Sequence, residues 1–401
     1  MTTVAVRPAA TLGRHALLLG AVVILAIAIA LPAYIRLSDP VHIVSDIPLH
    51  AALARDTVLN RGWISYSLWY PLLFITTGGA SDPAAMQVSA VVFLTLATVA
   101  RAVVAYVLVA RETARPVVAA LGAVVILLAM PIVNPLDPTD IYLGQLTANV
   151  WHNSTTILVA PFALAAFGAG VSLLRSPRVG RAIVFSVTIV LVVLMKPSYA
   201  LAFLPVFGIV LLVQLWRTRT KLRWAFAIVG VGFIPVVVLL AVQYGLVFHS
   251  YQPDTVRKTY ISPAPFAVWR AYSDNIPISI LVSLLGPVVV FAILPRLQRI
   301  AIDVVLAWST FLVALLQLIV LAERESDRSI DLDGNFFWGA YTALLVVFLV
   351  SVVGLARAFP SWPQQRGRQV ALVIAIVVLA AHVATGLVYA LFAGTPGLPV
   401  S

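Results

Sequence analysis

About eleven apolar runs, most of them near 20 residues long, follow one another along this 401-residue chain. That repetition constrains the fold more than any single motif. A segment that crosses a bilayer must pair its own backbone N–H and C=O groups, and about 20 apolar residues span the hydrocarbon as a helix. Hydrophobic residues make up 62% of the chain and charged ones 10%, whereas a soluble domain carries about 25% charged residues. The expected fold is all-α: a polytopic transmembrane helical bundle of about eleven spans, with residues 1–401 as a single transmembrane domain. The spans fall near 15–36, 85–110, 117–133, 155–174, 181–195, 197–216, 223–245, 278–295, 300–322, 337–357 and 370–392. The pair 181–195 and 197–216 shares one tight turn at Lys196-Pro197, and a bent hairpin that does not fully cross is the alternative.

The first apolar run follows Arg7 and Arg14. A cleaved leader is one reading, but the run is longer than a usual signal core and a multi-pass chain follows, so a retained first helix is expected. With a cytoplasmic N-terminus, sixteen of the 26 Lys and Arg residues fall on the inner side. They include the run Arg217, Arg219, Lys221 and Arg223. Of the acids, only Glu112 and Asp303 fall there. This is the positive-inside pattern, and it accounts for the net charge of +11 without a nucleic-acid partner. There is no cysteine, which removes disulfides, thiol catalysis and cysteine-bound zinc. No phosphate-loop, dinucleotide-binding, zinc-protease or serine-hydrolase motif occurs. The sequence therefore calls for neither a cofactor nor a tightly held metal. The abundance of Ala, Val and Arg suggests a bacterial cell membrane.

Polar residues gather in the outer connections 37–84, 134–154, 246–277 and 323–336, and at the turn around Lys196. Connection 37–84 is expected to hold interfacial helices at 47–59 and 66–76, because its apolar stretch 66–78 is too short to span. Asp46 and His50 are four residues apart and share a helical face. Asp46 reads either as a catalytic base or as an N-cap ahead of Pro48. Lys196 stands alone in a long apolar stretch. A lysine there is a candidate ligand for a lipid phosphate, with simple snorkelling to headgroups as the alternative. His152 is a second candidate for the phosphate. Trp151 stacks on a sugar or joins the interfacial aromatic belt, and Asn153 or Ser154 caps the helix that follows. Arg257 and Lys258 form either a phosphate-binding pair or a solvated basic pair. His50, Asn335 and Trp338 are candidates for sugar or acceptor binding.

The layout resembles the GT-C superfamily of integral membrane glycosyltransferases. Asp46, the segment Pro48–Arg55, and Arg61-Gly62-Trp63 leading into Ser67–Leu73 carry the resemblance. It departs at Ile47, where many relatives carry a second acid. Asn149–Thr155 and Asp333–Gly339 look similar to segments of bacterial polysaccharide-linked membrane proteins. The resemblance implies that a polyprenyl-phosphate-linked sugar is transferred to a glycan or lipid acceptor on the outer face, among membrane lipids. Asp46 would act as base, with Lys196, His152, Arg257 and Lys258 at the donor phosphate. A transporter or flippase of a lipid-linked glycan, or a non-catalytic subunit of a polysaccharide assembly complex, are the alternative readings.

Overall fold

The structure, a computed structural model, describes residues 9–41, 43–63, 65–79, 82–133, 144–248, 260–325, 329–332, 334–358 and 366–395. In chain order the elements are α1 (Ala9–Leu37), α2 (Asp46–Ala52), α3 (Ala54–Arg61), α4 (Trp69–Thr76), α5 (Pro83–Glu112), α6 (Pro116–Leu128), α7 (Ser154–Arg175), α8 (Val179–Met195), α9 (Ser198–Arg217) and α10 (Leu222–Phe248). They continue with β1 (Tyr260–Pro263), α11 (Ala267–Tyr272), α12 (Ile276–Ile293), α13 (Arg296–Arg299), α14 (Ile302–Val320), β2 (Leu321–Arg324), β3 (Ile330–Asp331), α15 (Asn335–Ala358) and α16 (Arg366–Phe392). Among the described residues, nine helices are long and apolar enough to cross a membrane. The molecule is an all-α polytopic bundle, with one small antiparallel sheet, β1-β2-β3, that the sequence reading does not anticipate.

The centre of the bundle is α15, buried along nearly its whole length and packed on α14, α9, α6, α12, α5 and α7. Large apolar side chains of the peripheral helices face outward, among them Leu17 and Ile24 of α1, Phe226 of α10 and Val377 of α16. In water such surfaces would be a liability; against lipid they cost nothing. Two glycines set how closely helices approach. A Cβ on Gly339 would press on the Ser198 carbonyl of α9, and one on Gly386 would collide with the Leu128 carbonyl at the end of α6.

Two of the eleven expected spans are short. Helix α6 has 13 residues and α8 has 17, or about 20 Å and about 25 Å at 1.5 Å per residue. The sequence places a span at 117–133, yet the helix stops at Leu128. Its last carbonyls are taken by buried side chains instead of water. Arg101 Nη2 donates to Leu127 O (3.3 Å), Asn149 Nδ2 to Ala129 O (2.8 Å) and His382 Nδ1 to Met130 O (2.6 Å). Irregular backbone inside a bundle is tolerated where protein supplies such partners. The segment 144–153 that follows is buried throughout, and it leads straight into α7.

The end of α8 is sealed in a similar way. Leu68 N donates to Leu194 O (2.7 Å), and Gln243 Nε2 of α10 donates to Val193 O (3.2 Å). This fastens the 37–84 connection onto the bundle. Its two expected helices become three: the first breaks at Leu53 into α2 and α3, and the second begins at Trp69. Arg36, at the end of α1, caps α16 by donating to Ala390 O (2.7 Å) and Ala393 O (3.2 Å), a favourable place for a cation.

At the opposite end of α7, Arg175 pairs with Glu112 (2.9 Å) and Asp303 (3.5 Å), and Arg357 pairs with the same two carboxylates (2.9 and 2.7 Å). These are the two acids that the charge pattern assigns to the basic side. Each is there because it ties together the ends of α5, α7, α14 and α15.

Candidate functional site

Helices α7, α9 and α15 start, and α8 and α16 finish, at the same end of the bundle, where α2 packs on α5 and on the start of α7. This topology gathers side chains that are far apart in sequence. Asn153 is at the centre. It is the N-cap of α7: its Oδ1 accepts from Thr156 N (3.1 Å). The same oxygen accepts from Thr155 Oγ1 (3.0 Å), Thr156 Oγ1 (2.8 Å) and Lys196 Nζ (3.0 Å). Four donors on one oxygen fix the orientation of the amide. Its NH2 group therefore faces the other way, and donates to Asp46 Oδ2 at 3.0 Å. One carboxamide thus stands between a carboxylate and an ammonium.

Asp46 is the first residue of α2, but it is not the cap. Ser45 holds that role, its Oγ accepting from Ile47 N (3.1 Å). The carboxylate of Asp46 is turned to Asn153 instead. Its backbone N–H donates to His152 O (3.1 Å), so α2 is stitched to the start of α7 by two bonds.

Lys196 follows the last residue of α8 and is buried, 7% exposed. Its Nζ also donates to Thr155 Oγ1 (2.9 Å) and lies 4.7 Å from the centre of the Trp338 ring, a cation–π contact. Snorkelling leaves an ammonium in water; this one is directed inward to protein oxygens.

Two histidines flank the ammonium. His50 Nδ1 bonds to the Tyr70 hydroxyl (2.7 Å), which in turn meets the Tyr66 hydroxyl. His152 Nδ1 bonds to the Tyr389 hydroxyl (3.3 Å), and its ring sits edge-on to Trp338. Burial first, and Lys196 second, lower His50 to about 4, against a smaller upward pull from Asp46. The same two causes lower His152 to about 3. Both rings are neutral at physiological pH. The positive N-terminal end of α7 adds to the potential, so the site favours an anion near Lys196. Among the described residues, no three His, Asp or Glu side chains are grouped to hold a metal ion.

Of the residues singled out in the sequence, Asp46, His50, His152, Lys196 and Trp338 come together here. Trp151 does not join them. It has no exposed surface, Arg101 lies over its ring at 5.6 Å, and Tyr34 packs on it at 5.8 Å. It is a core residue, not a belt residue or a sugar platform. Asn335 is exposed and donates to Glu323 (3.1 Å), beside an open cleft also lined by Asp331 and Phe336, one turn of α15 away from Trp338. Arg257 and Lys258 lie outside the described residues. Sequence reasoning missed Asn153 as the bridge, and Tyr70 and Tyr389 as the histidine partners. Asn153 carried a usable signal in its capping position; the two tyrosines carried none. Neither protein-family models nor characterised proteins match this chain, so its chemistry is read from the geometry of the site.

Proposed function

We propose that this chain is a membrane glycosyltransferase. It moves a sugar from a polyprenyl-phosphate donor to a cell-envelope glycan or lipid acceptor, at the outer face of a bacterial plasma membrane. The observation that carries this reading is the line Asp46–Asn153–Lys196. Directly paired, the carboxylate and the ammonium would neutralise each other. One amide apart, they can act on opposite sides of one reacting carbon. The acceptor hydroxyl attacks the anomeric carbon and gives its proton to Asp46. The bond from that carbon to the phosphate oxygen breaks, and the charge that grows on the phosphate is met by Lys196 and the start of α7. A single displacement of this kind inverts the anomeric centre. The cleft beside Asn335 and Glu323 offers amide and carboxylate groups to a hydroxyl-rich acceptor.

A flippase would need a polar path through the helices. The buried polar groups Arg101, Gln243 and His382 are instead bonded to the backbone of neighbouring segments, which favours the catalytic reading. The test is transfer from polyprenyl-phosphate sugars to envelope acceptors by purified wild type and Asp46→Asn. Loss in a folded variant supports the assignment, and retained transfer overturns it.

A further inference from the structure

Helix α9 runs 20 residues from the candidate site to Arg217, about 30 Å at 1.5 Å per residue, which is about the thickness of a hydrocarbon core. The turn into α10 therefore lies at the far end of the bundle, the same end as the ion pairs of Arg175 and Arg357. Its sequence, Trp216-Arg217-Thr218-Arg219-Thr220-Lys221-Leu222-Arg223-Trp224, places four cations between two tryptophans. No acid occurs between Asp140 and Asp254, so no neighbour along the chain offsets them.

Other arginines at this end are engaged by the protein. Arg175 and Arg357 meet Glu112 and Asp303. Arg181 donates to Ser172 O (2.6 Å), and Arg299 donates to Leu294 O (2.7 Å) and Ala292 O (2.8 Å). The four cations of the turn differ. All are exposed, and among the described residues none donates through its side chain to a protein oxygen or pairs with a carboxylate. Arg223 lies over the ring of Trp224 at 5.4 Å. The end of α9 is closed without them. Thr218 Oγ1 donates to Gln214 O (2.8 Å), and the amides of Arg219 and Thr220 donate to Trp216 O (3.0 Å) and Leu215 O (3.1 Å). Such a closure usually has glycine at its left-handed position. Here that position is Arg219, with φ +50°, so a charge stands where the backbone favours glycine.

The rim of the turn is apolar. Trp216 is 80% exposed and Leu222 71% exposed. They continue into the outward-facing Leu212 of α9 and Phe226 of α10. A soluble acidic partner would cover the charges and leave this apolar surface in water. A bilayer covers both, with indoles at headgroup level and basic side chains on lipid phosphates.

We propose that the α9–α10 turn is a binding surface for acidic phospholipid headgroups, with Arg217, Arg219, Lys221 and Arg223 at the phosphates and Trp216 and Trp224 setting its depth. A guanidinium offers a fork of donors that fits a phosphate, and a cluster of cations beside a membrane helix gathers anionic lipids. The surface lies a helix length from Lys196 and is independent of the glycosyl-phosphate reading.

The test is native mass spectrometry of the full chain released from vesicles of equal phosphatidylglycerol and phosphatidylcholine, which counts the lipids that stay bound. The turn variant carries Arg217→Gln, Arg219→Gly, Lys221→Gln and Arg223→Gln. A control carries Arg14→Gln, Arg111→Gln, Arg178→Gln and Arg296→Gln, removing four exposed charges from the same end. Wild type should retain phosphatidylglycerol over phosphatidylcholine by roughly tenfold, with the control close to it and the turn variant near parity. The turn variant should unfold at the wild-type temperature in phosphatidylcholine alone. The double variant Arg217→Gln/Lys221→Gln, milder on the fold, should keep a preference of roughly threefold. The proposal is overturned if the wild type shows no preference, or if the control loses as much as the turn variant. Polyglutamate that binds the turn and is not displaced by phosphatidylglycerol vesicles would assign the surface to an acidic protein and overturn it as well.

Discussion

Helix α7 has a charge cluster at each end, and the two are built differently. At its C-terminal end, Arg175 and Arg357 touch Glu112 and Asp303 directly. At its N-terminal end, Asp46 and Lys196 are held apart by the Asn153 amide. In the first cluster each charge is satisfied by its opposite, and the result is a clamp on four helix ends. In the second, an amide accepts from the ammonium and donates to the carboxylate without cancelling either. The difference teaches that a buried charge pair is best judged by whether its members meet. Those that meet hold structure, and on the function proposed above those kept apart serve a ligand.

The largest effect that would sharpen this contrast is on catalysis. Asp46→Asn should lower sugar transfer by roughly 10²- to 10⁴-fold, the usual cost of losing a general base, with thermal unfolding in detergent nearly unchanged. Lys196→Met should weaken dodecyl phosphate binding by roughly 10- to 100-fold, since a hydrogen bond to a charged group contributes about 1.5–3 kcal/mol; isothermal titration reads this. Asp303→Asn should do the opposite. Asp303 is buried and bonded to both arginines, so removing its charge leaves Arg175 and Arg357 with Glu112 alone, a loss of about 1.5–3 kcal/mol for hydrogen bonds to charged groups. Unfolding temperature should fall by several degrees while phosphate affinity stays as in the wild type. A loss of affinity in Asp303→Asn would break the comparison.

The smallest expected effect is on acid stability. His50 and His152 are held at about 4 and about 3, below the ordinary 6.5. As pH falls below about 6.5, the unfolded chain takes up protons that the folded site refuses. Stability conferred by these groups is therefore full at neutral pH and declines toward pH 4. Unfolding temperature followed from pH 7.5 to 4.5 should drop, and less steeply in His50→Gln. An equal slope in that variant would assign the acid sensitivity to other groups.

Much of the fold was legible in the sequence because hydrophobic run length and charge placement act locally. Among the described residues, eleven apolar helices lie near the expected places, nine of them long enough to cross a membrane. What was not legible depends on packing. Helix α6 ends at Leu128 ahead of Pro131, a breaker that the sequence does show, but the side chains that take the carbonyls of Leu127, Ala129 and Met130, those of Arg101, Asn149 and His382, come from three separate segments. The site follows the same rule. Lys196 was visible as a lone cation in an apolar stretch, where it needs a reason to exist, and Asp46, His50 and His152 as polar residues gathered in the outer connections. Asn153 looked like a helix cap, and it is one; its second face, toward Asp46, exists only once α2 packs on the start of α7. Tyr389 reaches His152 from more than 200 residues away, and a tyrosine in the last turn of a membrane helix reads first as an interfacial anchor. Trp151 looked amphipathic for the same reason, and the packing of Tyr34 and Arg101 on its ring makes it core.

The most direct measurement compares the two ends of α7 in one assay. A synthetic polyprenyl phosphate is titrated into purified wild type, Lys196→Met and Asp303→Asn, with fold monitored alongside. If the separated charges form a ligand site and the paired ones a clamp, binding is lost in Lys196→Met and kept in Asp303→Asn, although the second protein is the less stable. Equal binding by Lys196→Met and the wild type would contradict a phosphate site at Lys196, and with it the glycosyl-phosphate chemistry proposed for this end of the bundle.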